Sequence, residues 1–196
     1  MSMPKLIIIE GPSGAGKTSF LRRFLETNAF KSNFPRPDTG YMTSHFGRAE
    51  GKTPEEVANH YGDVLELAQG APMILDRYIL SNIVYAYTMG NQVGAGSHQL
   101  MNVFRRIKFW YGDSYKSLIF TAESHVLDQR NVGRNREDFM ASLPKTISCF
   151  RQFCAMGFMN PVHVNTNWAD ADQTFKFCME HLDVKAPERP KYQDGR

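Results

Sequence analysis

The chain has 196 residues, 42% of them hydrophobic and 22% charged, with a formal net charge of +3. That balance suits one globular domain with a sizeable core. The charge is too small to argue for a nucleic-acid surface, yet it fits a pocket built for phosphates. Three cysteines without a C-x-x-C pair and six scattered histidines argue against a disulfide framework and a zinc site. Buried thiols in a reducing compartment are the plain reading.

Leu6-Ile7-Ile8-Ile9 is continuous and mostly β-branched, which reads as a strand buried on both faces. It is too short for a signal-peptide core or a bilayer span, so a cytoplasmic location and no membrane partner are expected. Thr18 to Asn28 follows as a helix, with Phe20, Leu21, Phe24 and Leu25 at helical spacing. Lys31 to Tyr41 contains Pro35, Pro37 and Gly40 and reads as loop, with a short strand before it as an open alternative. Thr53-Pro54-Glu55-Glu56 opens a helix: a capping hydroxyl, a proline for the first turn and two acids at the positive end of the dipole. That helix should run to about Gln69, with Gly70 as its stop. Met73-Ile74-Leu75 is a second short strand, ending at Asp76. Ile79 to Met89 reads as helix, Gly90 to Gly96 as a glycine-rich turn and Gln99 to Phe109 as helix. Leu118-Ile119-Phe120 forms a third strand. Glu123 to Asp138 is polar and arginine-rich. Phe139 to Met156 is a long helix in which Pro144 kinks the start or marks the first turn. Val162-His163-Val164 is a fourth strand and Ala169 to Leu182 a final helix. The tail, 185–196, is polar and expected to be flexible. Strands alternating with helices imply an α/β fold, a parallel sheet with helices on both faces. Ligands in such folds bind beyond the carboxyl ends of the strands, here Glu10, Asp76 and Thr121.

Gly11-Pro12-Ser13-Gly14-Ala15-Gly16-Lys17-Thr18 fits G-x-x-x-x-G-K-[ST] in full. Small residues let backbone N–H groups turn inward around phosphates, and the helix starting there points its positive end at the same anion. Lys17 is expected to reach the β- and γ-phosphates of ATP, and the Thr18 hydroxyl to ligate Mg²⁺. Asp76 closes the second strand, where a carboxylate can hold a metal-bound water beside the phosphates. Arg77 follows, where a guanidinium can grip phosphate oxygens bidentately. A solvated Asp-Arg pair with Asp76 as a helix cap is the competing reading of these two residues.

The wider pattern of Ile7-Ile8-Ile9-Glu10-Gly11, then Asp76-Arg77-Tyr78-Ile79-Leu80-Ser81 with Val84-Tyr85, resembles the thymidylate kinase family. The resemblance implies a three-layer P-loop NTPase fold over 1–184, with a short arginine-rich lid at about 123–138. It implies that Arg77 holds the acceptor's phosphate, that Asp76 supports the metal and the reacting phosphates, and that Arg36, in Phe34-Pro35-Arg36-Pro37, is a second acceptor-phosphate ligand. Arg130, Arg134 and Arg136 then fall in the lid, and catalytic arginine must come from there because Pro12 to Ala15 offers none. Arg134 is first choice, since its i, i+4 spacing from Arg130 puts both on one helix face. A solvated, salt-bridged surface is the bland alternative for this segment. The sequence departs from the family at Ser13, where an acid usually contacts the sugar, at Thr121, where Asp is usual, and at Glu56 and His60, which fall at the base-stacking and arginine positions. Tyr61, Phe46 or Tyr85 could supply stacking, and each could equally be core packing.

The activity so implied is phosphoryl transfer from ATP to a nucleoside monophosphate, thymidylate first. A deoxynucleoside kinase would need a carboxylate base, for which only Asp38 is placed, and Arg36 beside it favours a phosphorylated acceptor. The Gly-Pro-Ser-Gly-Ala-Gly-Lys string also looks like guanylate kinases, so a guanine-nucleotide acceptor stays open. A non-catalytic nucleotide-binding module would have no use for Arg36, Arg77 and a lid. A nucleic-acid 5′-kinase would want a basic groove. A homodimer is implied by the likeness only.

Overall fold

β1 (Leu6–Glu10) is buried along its whole length, with Leu6 to Ile9 fully inaccessible. An all-apolar strand can satisfy that only at the centre of a sheet covered on both sides. In the computed structural model, which describes residues 3–34, 41–42, 54–89, 97–131, 137–167 and 170–183, β1 pairs in parallel with β3 (Met73–Asp76) and with β4 (Tyr115–Thr121). β2 (Tyr41–Met42) lies outside β3, and β5 (Pro161–Asn165) outside β4, completing a five-stranded parallel sheet in the order β2-β3-β1-β4-β5.

Alternation along the strands sends side chains to two separate cores. Leu6, Ile8, Met73, Leu75 and Ile119 face α3 (Pro54–Ala68), α4 (Ile79–Met89) and α5 (Ser97–Tyr111) through Leu65, Ile79 and Ile107. Ile7, Ile9, Ile74, Leu118, Phe120 and Val164 face α1 (Lys17–Glu26), α2 (Asn28–Asn33), α6 (Ser124–Arg130) and α8 (Ala171–His181) through Phe24, Phe30, Leu127 and Phe175. α7 (Glu137–Ala155) sends Phe150 to the first core and Leu143 and Ile147 to the second. The three-layer α/β fold expected from the alternation is the one observed.

Three local expectations need correction. Lys31 to Asn33 are helical rather than loop. Thr27 ends α1 and caps α2, its Oγ1 accepting from Phe30 N at 3.0 Å, and Phe30 and Phe34 stack at 5.2 Å and pack against Phe24. A fifth strand, β2, adds to the four read from sequence. Pro144 lies well inside α7 rather than in its first turn, on an exposed position. The Gly90 to Gly96 turn and the tail fall outside the described residues. No helix among those described is long and apolar enough to cross a membrane.

Phe24 is fully buried among Phe20, Phe30 and Phe34. Phe24→Ala should cost about 3–5 kcal/mol of unfolding free energy, read as a lower urea midpoint at unchanged slope; a loss under about 1 kcal/mol would contradict this packing.

Candidate active site

At the carboxyl end of β1 the chain turns through Gly11 with φ 129°. A Cβ there would sit 2.1 Å from the Phe120 carbonyl oxygen, so only glycine lets the loop leave the sheet this close to β4. Lys17 opens α1 and is 6% exposed. Its Nζ donates to the Gly11 carbonyl at 2.8 Å and the Pro12 carbonyl at 2.6 Å. Burial, and next the Arg77 guanidinium, push this ammonium well below its usual range, against the pull of Asp76 and Glu10. Thr18 is exposed in the first turn.

Arg77 follows β3 with φ 68°, a left-handed conformation that costs a non-glycine residue of order 1–3 kcal/mol. Neighbouring bonds hold it there. Arg77 N donates to Ile9 O at 2.8 Å. The fully buried Glu10 carboxylate accepts from Tyr78 N at 2.9 Å and from Ser81 Oγ. The Arg77 side chain then reaches across β1. Its Nη1 donates to the Gly11 carbonyl at 3.0 Å and to Tyr85 Oη at 3.0 Å, and its Cζ lies 5.5 Å from the Tyr85 ring centre. Asp76 is 8% exposed, and its Oδ1 is buried with no hydrogen-bond partner among the described residues.

That orphaned oxygen bears on the metal. No group of three or more His, Cys, Asp or Glu placed to hold a metal ion occurs among the described residues, so a closed protein cage is not built there. A lone carboxylate and a hydroxyl beside phosphate oxygens form an all-oxygen donor set of the kind Mg²⁺ takes while keeping several waters. Asp76 and Thr18 fit it.

On the β5 side of the loop stand Arg130, Asn131 and Thr166. Arg130 donates to Thr166 Oγ1 at 3.0 Å, Thr166 O at 2.8 Å and Gly14 O at 3.4 Å. Asn131 Nδ2 donates to Ser13 O at 3.2 Å and Leu127 O at 2.8 Å. Thr166 Oγ1 lies 3.3 Å from the Ala15 and Thr121 carbonyls.

The structure thus brings Gly11 to Thr18, Asp76, Arg77, Tyr85 and Arg130 around one loop. Tyr85 is occupied with Arg77 and sets its ring edge-on to Phe150 at 6.4 Å, so it meets Arg77 by its hydroxyl. Tyr61 is 1% exposed and locked edge-on against Tyr78 at 4.7 Å, with Tyr78 Oη donating to Tyr61 O at 2.6 Å; it is core packing. His60 is exposed on α3. Thr121 is fully buried, its Oγ1 2.6 Å from His163 Nε2. Arg36, Asp38, Phe46, Arg134 and Arg136 lie outside the described residues. Glu10, Asn131 and Thr166 were not singled out as site residues from sequence. The strand-end rule pointed at Glu10 and could have reached Thr166, one residue past β5; nothing local marks Asn131.

No protein-family model matches the chain, and no curated protein matches its sequence. Solved structures do match. The YorR protein from Bacillus subtilis, in complex with phosphorylated GDP, superposes with a TM-score of 0.68 at 20% identity, over 91% of this chain and 95% of that one. Thymidylate kinase from Candida albicans gives 0.57 at 16%, over 93% and 92%. Deoxyadenosine kinase from M. mycoides with bound dATP gives 0.56 at 11%, over 91% and 99%. At these identities the likeness establishes the fold, the α/β P-loop fold that these proteins share.

Burial raises the Glu10 carboxyl above its ordinary value of 4.5, although Ser81 and Arg77 oppose the shift. A raised native value makes the stability contribution largest below the unfolded value, and it is lost as pH rises through the native one. The unfolding free energy of wild type relative to Glu10→Gln should therefore decline over that window, measured by urea denaturation from roughly pH 4 to 8. A difference that grows with pH would contradict the buried, raised carboxyl.

Proposed function

We propose that this chain is an ATP-dependent nucleoside monophosphate kinase, transferring the γ-phosphoryl group of ATP to a deoxynucleoside monophosphate, with thymidylate as the first acceptor to test. The observation that carries the reading is the Gly11 carbonyl held jointly by Lys17 and Arg77. Two cations from different elements meet at one end of the phosphate loop, one suited to a donor polyphosphate and one to an acceptor phosphate. A switch or passive binding module needs only the first.

In this reading the backbone of Gly11 to Thr18, with Pro12, Ser13, Gly14, Ala15 and Gly16 between, wraps the triphosphate. Lys17 exchanges its two carbonyl partners for phosphate oxygens. Thr18 and Asp76 would hold Mg²⁺, which when bound would offset the negative charge of the phosphates. Arg77, held by Tyr85, positions the acceptor phosphate, and Arg36 is proposed as its second ligand. An acceptor phosphate oxygen bonds to the γ-phosphorus as the bond to the β,γ-bridging oxygen breaks, and ADP leaves. The nucleophile is already an anion, so no general base is required. Arg134, with Arg136 near it in sequence, is proposed to stabilise the charge of the transferring group. His60 is retained as a candidate contact to the acceptor. A cytoplasmic location and a homodimer complete the proposal.

A second reading keeps the reaction and changes the base. The guanine nucleotide in the YorR structure, together with the Ser13 and Glu56 departures, favours a guanine-nucleotide acceptor as the first rival to thymidylate. A deoxynucleoside kinase, the activity named for the M. mycoides neighbour, is the remaining rival.

Coupled ADP-release assays across monophosphates and nucleosides test the reading. Turnover with a monophosphate and none with nucleosides is expected; the reverse would contradict it. Lys17→Ala should lower kcat at least about 100-fold. Arg77→Ala should raise the acceptor KM about tenfold or more while leaving the ATP KM within about twofold; equal losses for both would remove Arg77 from the acceptor. A further expectation follows from the depressed Lys17 ammonium. Phosphate favours the charged form, so affinity for ATP should fall as pH rises through the free-state Lys17 value, with proton uptake on binding confined to that pH range. Calorimetry in two buffers of different ionisation enthalpy reads this directly, and proton release would contradict it.

A further inference from the structure

Three consecutive carbonyls of the phosphate loop are engaged from the β5 side by Asn131, Arg130 and Thr166. Asn131 donates to Ser13 O at 3.2 Å, Arg130 to Gly14 O at 3.4 Å, and Thr166 Oγ1 lies 3.3 Å from Ala15 O. The peptide bonds are trans. In a trans peptide the C=O and the following N–H point in opposite directions. Fixing Ser13 O, Gly14 O and Ala15 O toward α6 and β5 therefore turns the N–H groups of Gly14, Ala15 and Gly16 the other way. A run of inward N–H groups is what cradles a phosphate.

Asn131 is the member built most closely for this task. It is 7% exposed. One of its amide hydrogens goes to Leu127 O at 2.8 Å, which ties it to the end of α6, and the other goes to Ser13 O. Its Oδ1 lies 3.4 Å from Ser13 Oγ, within reach of that hydroxyl's proton. The loop comes so close that a Cβ on Gly14, at φ 78°, would sit 2.6 Å from Asn131 Nδ2. Glycine at 14 is thus required both by its backbone angle and by this side chain.

We propose that Asn131 is a positioning residue for nucleotide binding: by holding the Ser13 carbonyl outward it presets the phosphate loop in its anion-accepting conformation, with Arg130 and Thr166 doing the same for the next two peptides. The inference rests on the kinase reading, and in particular on the loop taking the triphosphate. It assigns Asn131 no contact with either substrate.

Asn131→Asp keeps the size and the link to Ser13 Oγ while replacing the amide that donates to Ser13 O and Leu127 O with an oxygen that repels both. Asn131→Ala removes the contact without adding charge. The measurements are ATP–Mg²⁺ affinity by calorimetry, KM for each substrate, and melting temperature. Both variants should bind ATP about tenfold more weakly, the cost of losing the hydrogen bond to Ser13 O that organises the site. The ATP KM should rise in parallel, with the acceptor KM within about twofold, while the melting temperature falls in both variants because the same amide bonds Leu127 O. Wild-type affinity in both variants overturns the inference and leaves the kinase reading standing. A lowered melting temperature with both KM values raised together overturns it too, because Asn131 would then serve stability alone. A wild-type protein that binds no ATP in the same calorimeter overturns the kinase reading and this inference with it.

Discussion

The Gly11 carbonyl oxygen accepts from two cations at once, Lys17 at 2.8 Å and Arg77 at 3.0 Å. Both approaches depend on backbone that the sheet itself sets. Gly11 sits where it does because β1 runs fully buried between β3 and β4 and because no side chain separates it from Phe120. Arg77 arrives because β3 ends at Asp76, opposite Ile9, one residue short of the end of β1, and the chain then takes a left-handed residue, with Glu10 binding the turn beyond it. Two like charges packed together in low exposure are unfavourable alone. The arrangement makes sense as a receptor for anions, which would replace the carbonyl as the shared partner.

The loop is held from two sides with different chemistry. From the β3 side come the charged groups, Arg77 and, at the strand end, Asp76, whose Oδ1 has no hydrogen-bond partner among the described residues. From the β5 side come Asn131, Thr166 and the part of Arg130 that bonds carbonyls. In the proposed reading, the groups on the first side meet ligand and those on the second orient backbone. The Glu10 carboxylate belongs with the second kind in function although it lies on the first side. It touches Tyr78 N and Ser81, and through them fixes the residue that precedes them.

Much of this is legible in the sequence, and the reason differs by element. β1, β3 and β4 announce themselves because buried parallel strands are continuous apolar runs. The Gly11 to Thr18 loop is legible because the phosphate-binding chemistry proposed for it needs particular residues at fixed spacing, and Lys17, Asp76 and Arg77 do converge on it. α2 is not legible: Asn28 to Asn33 buries only Phe30 and depends on Thr27 as its cap, so there is no periodicity to read. Tyr61 is a plausible stacking residue by position, and only the partner ring of Tyr78 reveals it as core. The bracing contacts are the least legible. Ser81 meets Glu10 across 71 residues and Asn131 meets Ser13 across 118, and no local pattern encodes a pairing that the sheet order creates.

The central claim is that donor and acceptor phosphates meet on one loop between Lys17 and Arg77. An inert molecule joining adenosine to the acceptor nucleoside through a chain of phosphates tests it most directly, by equilibrium binding beside ATP alone. The account predicts that the joined molecule binds well over tenfold more tightly than ATP, since one association then fills both sites, and that Arg77→Ala reduces it to the level of ATP. Equal affinity for the two molecules in the wild-type protein would contradict the account.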